Sequence, residues 1–460
     1  MPCGQCEGLP LIRGLIYCSR VHPLAPLDLS PSAFKVLLLQ AGQRRAYFVA
    51  SGGALMASHP SLEPIAQAIE AEADFDAHEA LFFEIGRETQ TLLSAVLHRT
   101  MRGQGAGGVR HWPYATLGDF VRDGLRLSRG MGRKNALSGL YWGGGKGVIV
   151  REPGDRYKDP SYRRSLYEDY GRFITSLRGC YVTAEDVGTT PPDMAAVFHT
   201  TRFVTCIPSE VGGSGNPSPA TAKGVVCAME AALDHVGLGT LTGKRIAMQG
   251  TGNVGAAMIA ELLERGVESV VATEVSADQC RVLQARFAGA EVAIRLVSPG
   301  DSSIVAEPCD VFAPNALGAI LNPETIPRLS CRIVCGAANN QLADERRDDR
   351  ALAARGIVYV PDFVANRMGI VSCANEQYGT LPDDPSILRH FGRDWDNAVY
   401  VITREILRRA AAQGITTTQA ANAMADALSL EPHPVFPHRG LEIVRALVRE
   451  RWHEPHAAVQ

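Results

Sequence analysis

The sequence predicts an α/β protein of two domains followed by C-terminal helices, and three observations carry that expectation. Short β-branched runs alternate with helical stretches from about residue 80 to residue 430. A Gly-, Ser- and Pro-rich segment, Gly212–Gly224, breaks the chain near its middle and marks a domain boundary. Beyond it a strand, Arg245–Gln249, runs into Gly250-Thr251-Gly252-Asn253-Val254-Gly255 and straight on into a helix.

Composition bounds the rest. At 460 residues the chain can bury two or three cores, and 46 % hydrophobic with 21 % charged residues is ordinary for a globular protein. A net charge of −3 without long Lys/Arg blocks argues against nucleic acid as a partner. The N-terminus lacks a basic, then apolar, secretory pattern, and no apolar run reaches membrane-spanning length, so no membrane role is expected. Eleven scattered cysteines, an odd number, suit a reducing compartment, and a cytoplasmic protein is expected. Cys3 and Cys6 form a lone CxxC, and none of the twelve histidines has metal-ligand spacing, so no metal site is predicted. His433 and His438 lie in a Pro-rich loop and are expected to be solvated.

Taken in order, Phe34–Gln40 and Arg45–Ser51 are expected to pair as strands, followed by an amphipathic helix over Leu62–Ala73, all in a separate layer. Leu81–Ile85 and Leu92–His98 are predicted strands, Leu117–Leu127 a helix, Tyr162–Ser176 a helix and Cys180–Thr183 a strand. The helix Ala220–His235 follows the boundary, with Pro219 near its start. Strands at Val311–Ala313, Arg332–Cys335 and Val358–Val360 each end in a small-residue or polar loop, and Asp394–Ala412 and Thr417–Leu428 are helical.

The stretch Gly130–Val150 holds two lysines, Lys134 and Lys146, the second directly after Gly143, Gly144 and Gly145. Three glycines let a ligand approach the backbone, and Val148–Val150 is expected as a short buried strand. A tight turn followed by a surface lysine fits the same residues. A phosphate-binding P-loop does not, because Gly147 stands where that motif needs Ser or Thr. A lysine among glycines and apolar residues is a candidate for a lowered pKa, since desolvation and a neighbouring cation both disfavour its charged form.

The glycine turn at Gly250–Gly255 has the full context of a dinucleotide site. A strand precedes it, a helix follows, and Glu274 ends the next strand, Ser269–Thr273, about twenty residues on. A helix N-terminus free of side chains offers N–H groups and a positive dipole end to pyrophosphate. Glu274 can accept bonds from ribose hydroxyls, and its charge opposes a 2′-phosphate, so NAD is the expected cofactor. Asn339 and Asn340 lie in a strand-end loop where they could bond a carboxamide or simply form a turn.

Together the motifs GAGGVR, GMGRKNALSGL, GGGK, YVTAEDVGTT, SGNPSPATAKGV, QGTGNVG, FAPNALGAILN, GAANNQL and PDFVANRMG resemble the glutamate/leucine/phenylalanine/valine dehydrogenase family over about Ala80–Leu428. The AEDVGTT form is most similar to the leucine/phenylalanine branch. The resemblance implies NAD-dependent, reversible oxidative deamination of an apolar L-amino acid to its 2-oxo acid and ammonia. It implies an N-terminal α/β substrate domain, a Rossmann dinucleotide-binding domain and C-terminal helices crossing back. The expected bounds are 1–75 for an extension, 76–215 for the substrate and oligomerisation domain, 216–393 for the Rossmann domain and 394–460 for the returning helices. It further implies a homo-oligomer.

By the same resemblance, Lys134 binds the substrate carboxylate with the Gly107–Gly108 backbone, Lys146 is the low-pKa catalytic lysine and Asp186 shuttles the amino proton. Thr221, Gly250, Thr251, Gly252, Asn253, Val254, Gly255, Glu274, Asn339 and Asn340 would face the cofactor. Ala106, Ala184, Ile370 and Cys373 would line the side-chain pocket, and the small Ala106 would open it to larger chains. Departures from the family pattern are Trp142 and Gly147 around the glycines and Arg367-Met368 in place of a small pair. Arg367 is expected to point to solvent or to a carboxylate. A glutamate-type enzyme and a non-catalytic dinucleotide-binding paralogue are the alternatives.

Overall fold

Ser30 and Pro31 decide the first element. In the computed structural model, which describes residues 25–316, 318–379 and 381–454, the Ser30 hydroxyl accepts Ala33 N at 3.1 Å and Pro31 occupies the first turn of a helix, Pro31–Gln40. Phe34 and Leu38, one turn apart, are both buried. The expected strand at Phe34–Gln40 is therefore a helix, because its apolar residues are spaced for one face and the cap starts it. Arg45–Ser51 is a strand as expected, but it pairs with Ala54–Ala57 and with Ala80–Ile85. The first described residues thus extend the main sheet and form no separate layer. The lone CxxC at Cys3 and Cys6 lies outside the described residues.

That sheet has eight strands. It runs from Ala54–Ala57 through Arg45–Ser51, Ala80–Ile85, Leu92–Leu97 and Gly143–Val150 to Gly105–Ala106 and Tyr181–Val182, with Val109–Trp112 also paired to Gly143–Val150. The glycine stretch is therefore neither a turn nor a surface loop. All eight of its residues are buried strand, and Lys146 pairs with Val96 in mid-strand. Glycine is a poor strand former, yet here backbone crowding requires it. A Cβ on Gly144 would stand 2.5 Å from Ser128 O, and one on Gly147 would strike the Tyr170 hydroxyl. The helix packed at this close range spans Leu117–Leu137, a full ten residues longer at its C-terminal end than expected, and carries Lys134 in its last turn.

The second sheet is parallel, in the order Val292–Leu296, Ser269–Glu274, Arg245–Gln249, Val311–Pro314, Ile333–Val334, Val358–Tyr359. Its first strand in sequence lies inside, so the order reverses beside Arg245–Gln249 and leaves a crevice at the strands' carboxyl ends.

The C-terminal helices cross back to the first sheet. Val399–Gln413 and Thr417–Ser429 share an apolar cluster with Leu137 and Val364, and Arg133 forms two 2.9 Å bonds to Asp426. A further helix, Arg439–Arg449, falls within the region expected to return as helices but beyond the two spans predicted there; its Val444 and Leu447, with Trp452, enter the core of the first sheet. The Trp452 indole donates to Ser176 Oγ at 3.0 Å. Among the described residues no helix is long and apolar enough to cross a membrane, and no cluster of three or more His, Cys, Asp or Glu could hold a metal ion.

The cysteines depart from the expectation of a wholly reduced set. Cys206 and Cys373 form a disulfide, while the other six described cysteines are free.

Candidate active site

The mid-strand Lys146 emerges toward the loop that follows Tyr181–Val182. Its Nζ donates to Asp186 Oδ2 at 2.6 Å. The same oxygen accepts from Arg110 Nε at 3.2 Å, and Arg110 Nη1 bonds Asp123 Oδ2 at 2.9 Å. Tyr114 and Arg126 complete the Asp123 side. The Asp186 loop is held by Thr189, whose Oγ1 accepts Asp186 N at 2.8 Å and donates to Asp186 O at 2.7 Å.

The electrostatics follow from burial. Lys146 is 4 % exposed, and desolvation lowers its pKa, with Asp186 opposing. Burial alone would raise Asp186, but Lys146 and Arg110 outweigh it and hold the carboxyl down to about 2. Asp186 thus stays ionised while Lys146 gives up its proton more readily than an ordinary lysine. Lys134 is half-buried, and burial pushes it down to about 8, against Asp362 and Asp186, which raise it. Asp362 itself is raised by burial, with Lys134 opposing.

Around these charges the predicted pocket residues gather. Ala106, Ile370 and Cys373 share one apolar cluster with Trp142, Val182 and Ala374, against which Met131, Leu140 and Cys206 pack. Ala184 is buried just before Asp186, its carbonyl accepting Val109 N at 2.8 Å. Gly107 donates its amide to Val182 O at 3.2 Å, and a Cβ on Gly108 would stand 2.9 Å from Asp186 Cβ, so both serve close packing of the strand ends.

Arg367 departs from expectation. It is fully buried and meets no carboxylate; its guanidinium donates to Leu137 O and Asn397 O. Burial lowers its pKa to about 9. The free carbonyl of Leu137 at the end of the lysine helix and that of Asn397, just before the helix Val399–Gln413, attract it, which explains why a cation tolerates the interior there.

The glycine turn fits a dinucleotide. Gly250 sits at φ +87°, a Cβ on Gly255 would approach Gly250 O to 2.5 Å, and Gly252 faces open space at the N-terminus of the helix Asn253–Glu264. Tight turn, close packing and room for pyrophosphate are the three tasks of such glycines. Asn253 and Val254 open that helix, while Thr251 is wholly buried and serves the turn from within. Glu274 accepts from Thr251 Oγ1 at 2.7 Å, Thr251 N at 3.2 Å, Val275 N at 2.8 Å and Ser276 N at 3.0 Å. Four protein donors therefore fix it, and these bonds outweigh the burial that would raise its pKa. Thr221 is buried, donating to Pro217 O at 2.9 Å. Asn339 and Asn340 are exposed at the crevice; Asn339 Oδ1 accepts from Asn366 at 2.8 Å, and the Asn340 amide donates to Asp362.

Sequence reasoning missed Arg110, Asp123 and Asp362. The first ends GAGGVR and the last opens PDFVANRMG, so a charge inside each motif was the available signal.

A parallel-sheet dinucleotide domain joined to a sheet bearing a lysine–carboxylate pair defines a dehydrogenase. The chain belongs to the Glu/Leu/Phe/Val dehydrogenase family: the model of its dimerisation domain matches residues 91–203, and that of Glutamate/Leucine/Phenylalanine/Valine dehydrogenase matches residues 212–427. It is 42 % identical to leucine dehydrogenase of Geobacillus stearothermophilus over 306 residues, 66 % of this chain and 79 % of that one. It is 39 % identical to valine dehydrogenase of Streptomyces albus over 357 residues, 77 % of this chain and 93 % of that one. Among solved structures, L-tryptophan dehydrogenase from Nostoc punctiforme superposes with a TM-score of 0.64 at 33 % identity, covering 77 % of this chain and 96 % of that one.

Proposed function

We propose that the chain oxidises an apolar L-amino acid to its 2-oxo acid and ammonia, with NAD as the preferred cofactor. The observation that carries this is the Lys146–Asp186 contact of 2.6 Å beside the apolar cluster of Ala106, Trp142 and Ile370. Gly250, Gly252, Asn253, Val254 and Gly255 would hold the dinucleotide's pyrophosphate, with Thr221, Asn339 and Asn340 toward its nicotinamide end. Bound there, the cofactor supplies the acceptor for the hydride that leaves the α-carbon. Lys134 clamps the substrate carboxylate. Asp186, ionised, takes the proton from the amino nitrogen. Lys146, with its lowered pKa, accepts the proton of the water that attacks the imine carbon and then protonates the departing nitrogen.

The apolar lining leaves a charged or hydrogen-bonding side chain without partners, which disfavours such substrates. Arg367, engaged at the end of the lysine helix, gives no support to a glutamate-type pocket. Retention of Lys134, Lys146 and Asp186 disfavours a non-catalytic paralogue. A cytoplasmic homo-oligomer fits this reading, since the matched N-terminal model is that of a dimerisation domain.

The test is a screen of the twenty amino acids for NAD reduction at alkaline pH, repeated with NADP. An apolar amino acid of the leucine, valine, phenylalanine and tryptophan class should lead, with leucine and valine ahead of phenylalanine. A lead by glutamate would overturn the apolar assignment, and no turnover with NAD still binding would favour the non-catalytic paralogue.

A further inference from the structure

Cys206 and Cys373 are separated by 167 residues, with Cα atoms 5.2 Å apart, within the ordinary span of a disulfide. They come from two segments far apart in the chain. Cys206 lies between the two family matches, which end at residue 203 and begin at residue 212, in the segment that leaves the substrate sheet. Just before it, Val204 bridges Thr183 and Thr205 N bonds Thr183 O at 2.9 Å, which pins that end to the substrate sheet. Cys373 lies on the helix Met368–Asn375, one turn after the pocket residue Ile370. The same two segments meet again where Glu376 accepts Ser214 N and Ser214 Oγ, both at 2.8 Å.

Cys206 also holds a left-handed backbone, φ +59°, which an L-residue with a Cβ seldom adopts. Such a conformation persists where the surroundings over-determine it, as at functional sites. Cys206 is partly exposed, whereas Cys373 is buried, and the Cys206 neighbours Val204 and Ile207 line a cavity of about 400 Å³ together with Glu376 and Gln377. Of the two sulfurs, that of Cys206 belongs to the more exposed residue. In a compartment that keeps thiols reduced, a persisting pair is characteristically redox-sensing.

We propose that Cys206–Cys373 is a reducible latch between the segment leaving the substrate sheet and the pocket helix, opened by a dithiol. It rests on the dehydrogenase reading only for its effect on turnover. A dithiol's thiolate attacks Cys206 Sγ, the sulfur–sulfur bond breaks and Cys373 leaves as a thiolate that takes up a proton. The second thiol of the reductant then displaces Cys206, so one protein disulfide and one dithiol become one protein dithiol and one reductant disulfide, with two electrons transferred. Closed, the latch ties the segment after Thr205 to the helix Met368–Asn375 and limits the movement that product release requires; open, it frees both segments.

The test uses the full chain oxidised with diamide, then treated or not with dithiothreitol. Peptide mapping without reduction should find Cys206 linked to Cys373 only in the untreated sample. Reduction should raise kcat several-fold, and Cys206→Ser should match the reduced enzyme in both conditions. Cys206→Gly, which suits the left-handed backbone, serves the same purpose if the serine variant folds poorly. Amide exchange over residues 206–217 and 368–379 should quicken on reduction, a readout independent of which amino acid is the substrate. Absence of the linked peptide, equal exchange in the two states, equal kcat with the link present, or an undiminished dithiothreitol response in Cys206→Ser would each overturn the proposal.

Discussion

Asp186 Oδ2 accepts two cations at once, Lys146 Nζ at 2.6 Å and Arg110 Nε at 3.2 Å. Removing either should act on charge rather than on shape. Lys146→Ala and Asp186→Asn are expected to lower kcat by about 10²–10⁴-fold, the usual range for a lost general acid or base, with NAD binding nearly unchanged. Arg110→Gln removes one of the groups holding Asp186 at about 2, so its pKa rises and the acid limb of kcat/KM moves to higher pH. Because the folded pKa is depressed, the stability Asp186 contributes is present above its unfolded value of about 3.9 and is lost as pH falls toward 2. Arg110→Gln should narrow that window. An unmoved acid limb would show that Arg110 does not set the Asp186 charge.

Asp362 is the charge that most opposes the effect of burial on Lys134, and the two together predict an alkaline effect. Burial brings Lys134 to about 8 and Asp362 opposes that fall. Asp362→Asn removes the opposition, so Lys134 loses its proton at lower pH. The alkaline decline of kcat/KM for the amino acid should then begin at lower pH than in the wild type, because the free enzyme loses its carboxylate clamp earlier. Parallel pH profiles of the two proteins measure this, and coincident profiles would remove Lys134 from the carboxylate-binding role.

Glu274 is anchored by four protein donors, so its charge is fixed in place at the strand end. Glu274→Gln keeps the size and removes the charge. The efficiency with NADP relative to NAD should rise about tenfold or more, equivalent to about 1.4 kcal/mol. Some loss of melting temperature should accompany it, since an amide cannot accept from all four donors. An unchanged cofactor ratio would place discrimination elsewhere.

What was legible in the sequence depended on how local the signal was. The turn Gly250–Gly255 lies within one strand–helix unit, so its meaning is written in adjacent residues. Only Val148–Val150 of the stretch Gly143–Val150 is expected as strand, since the glycines suit a ligand's approach or a turn and locally disfavour strands; the crowding that requires them comes from the Ser128 and Gly132 backbone and the Tyr170 hydroxyl. The strand expected at Phe34–Gln40 is a helix because a four-residue apolar run suits either period, and Ser30-Pro31 is the cue that decides it. The link between Cys206 and Cys373 spans 167 residues and could not be read from spacing at all. Arg367 stands apart: charge statistics put it outside, while two carbonyls, that of Leu137 at a helix end and that of Asn397 in a loop, draw it in.

That placement predicts a structural effect. Arg367→Ala leaves the Leu137 and Asn397 carbonyls without their donor and opens a cavity, at a cost of about 2–4 kcal/mol in unfolding free energy. Denaturant unfolding measures it. The ratio of efficiencies for leucine and glutamate should stay constant, because the guanidinium points to the end of the lysine helix. A shift of that ratio toward glutamate or away from it would put Arg367 in the pocket after all.

Trp142 bears on substrate size. The small Ala106 predicts a roomy pocket, but Trp142 is 8 % exposed and shares the cluster with Ala106, Ile370 and Cys373. An indole fills much of the room that an alanine opens. The wild type should therefore favour leucine and valine over phenylalanine. Trp142→Leu frees volume on the same face, and each further methylene of substrate buried there contributes about 0.8 kcal/mol, or nearly fourfold. The phenylalanine-to-valine ratio of kcat/KM should rise about tenfold or more in that variant, with kcat for valine little changed. Lost packing will lower the melting temperature, so the comparison is made well below it. If the ratio stays fixed while stability falls, Trp142 is part of the wall behind the pocket and Ala106 alone sets its size.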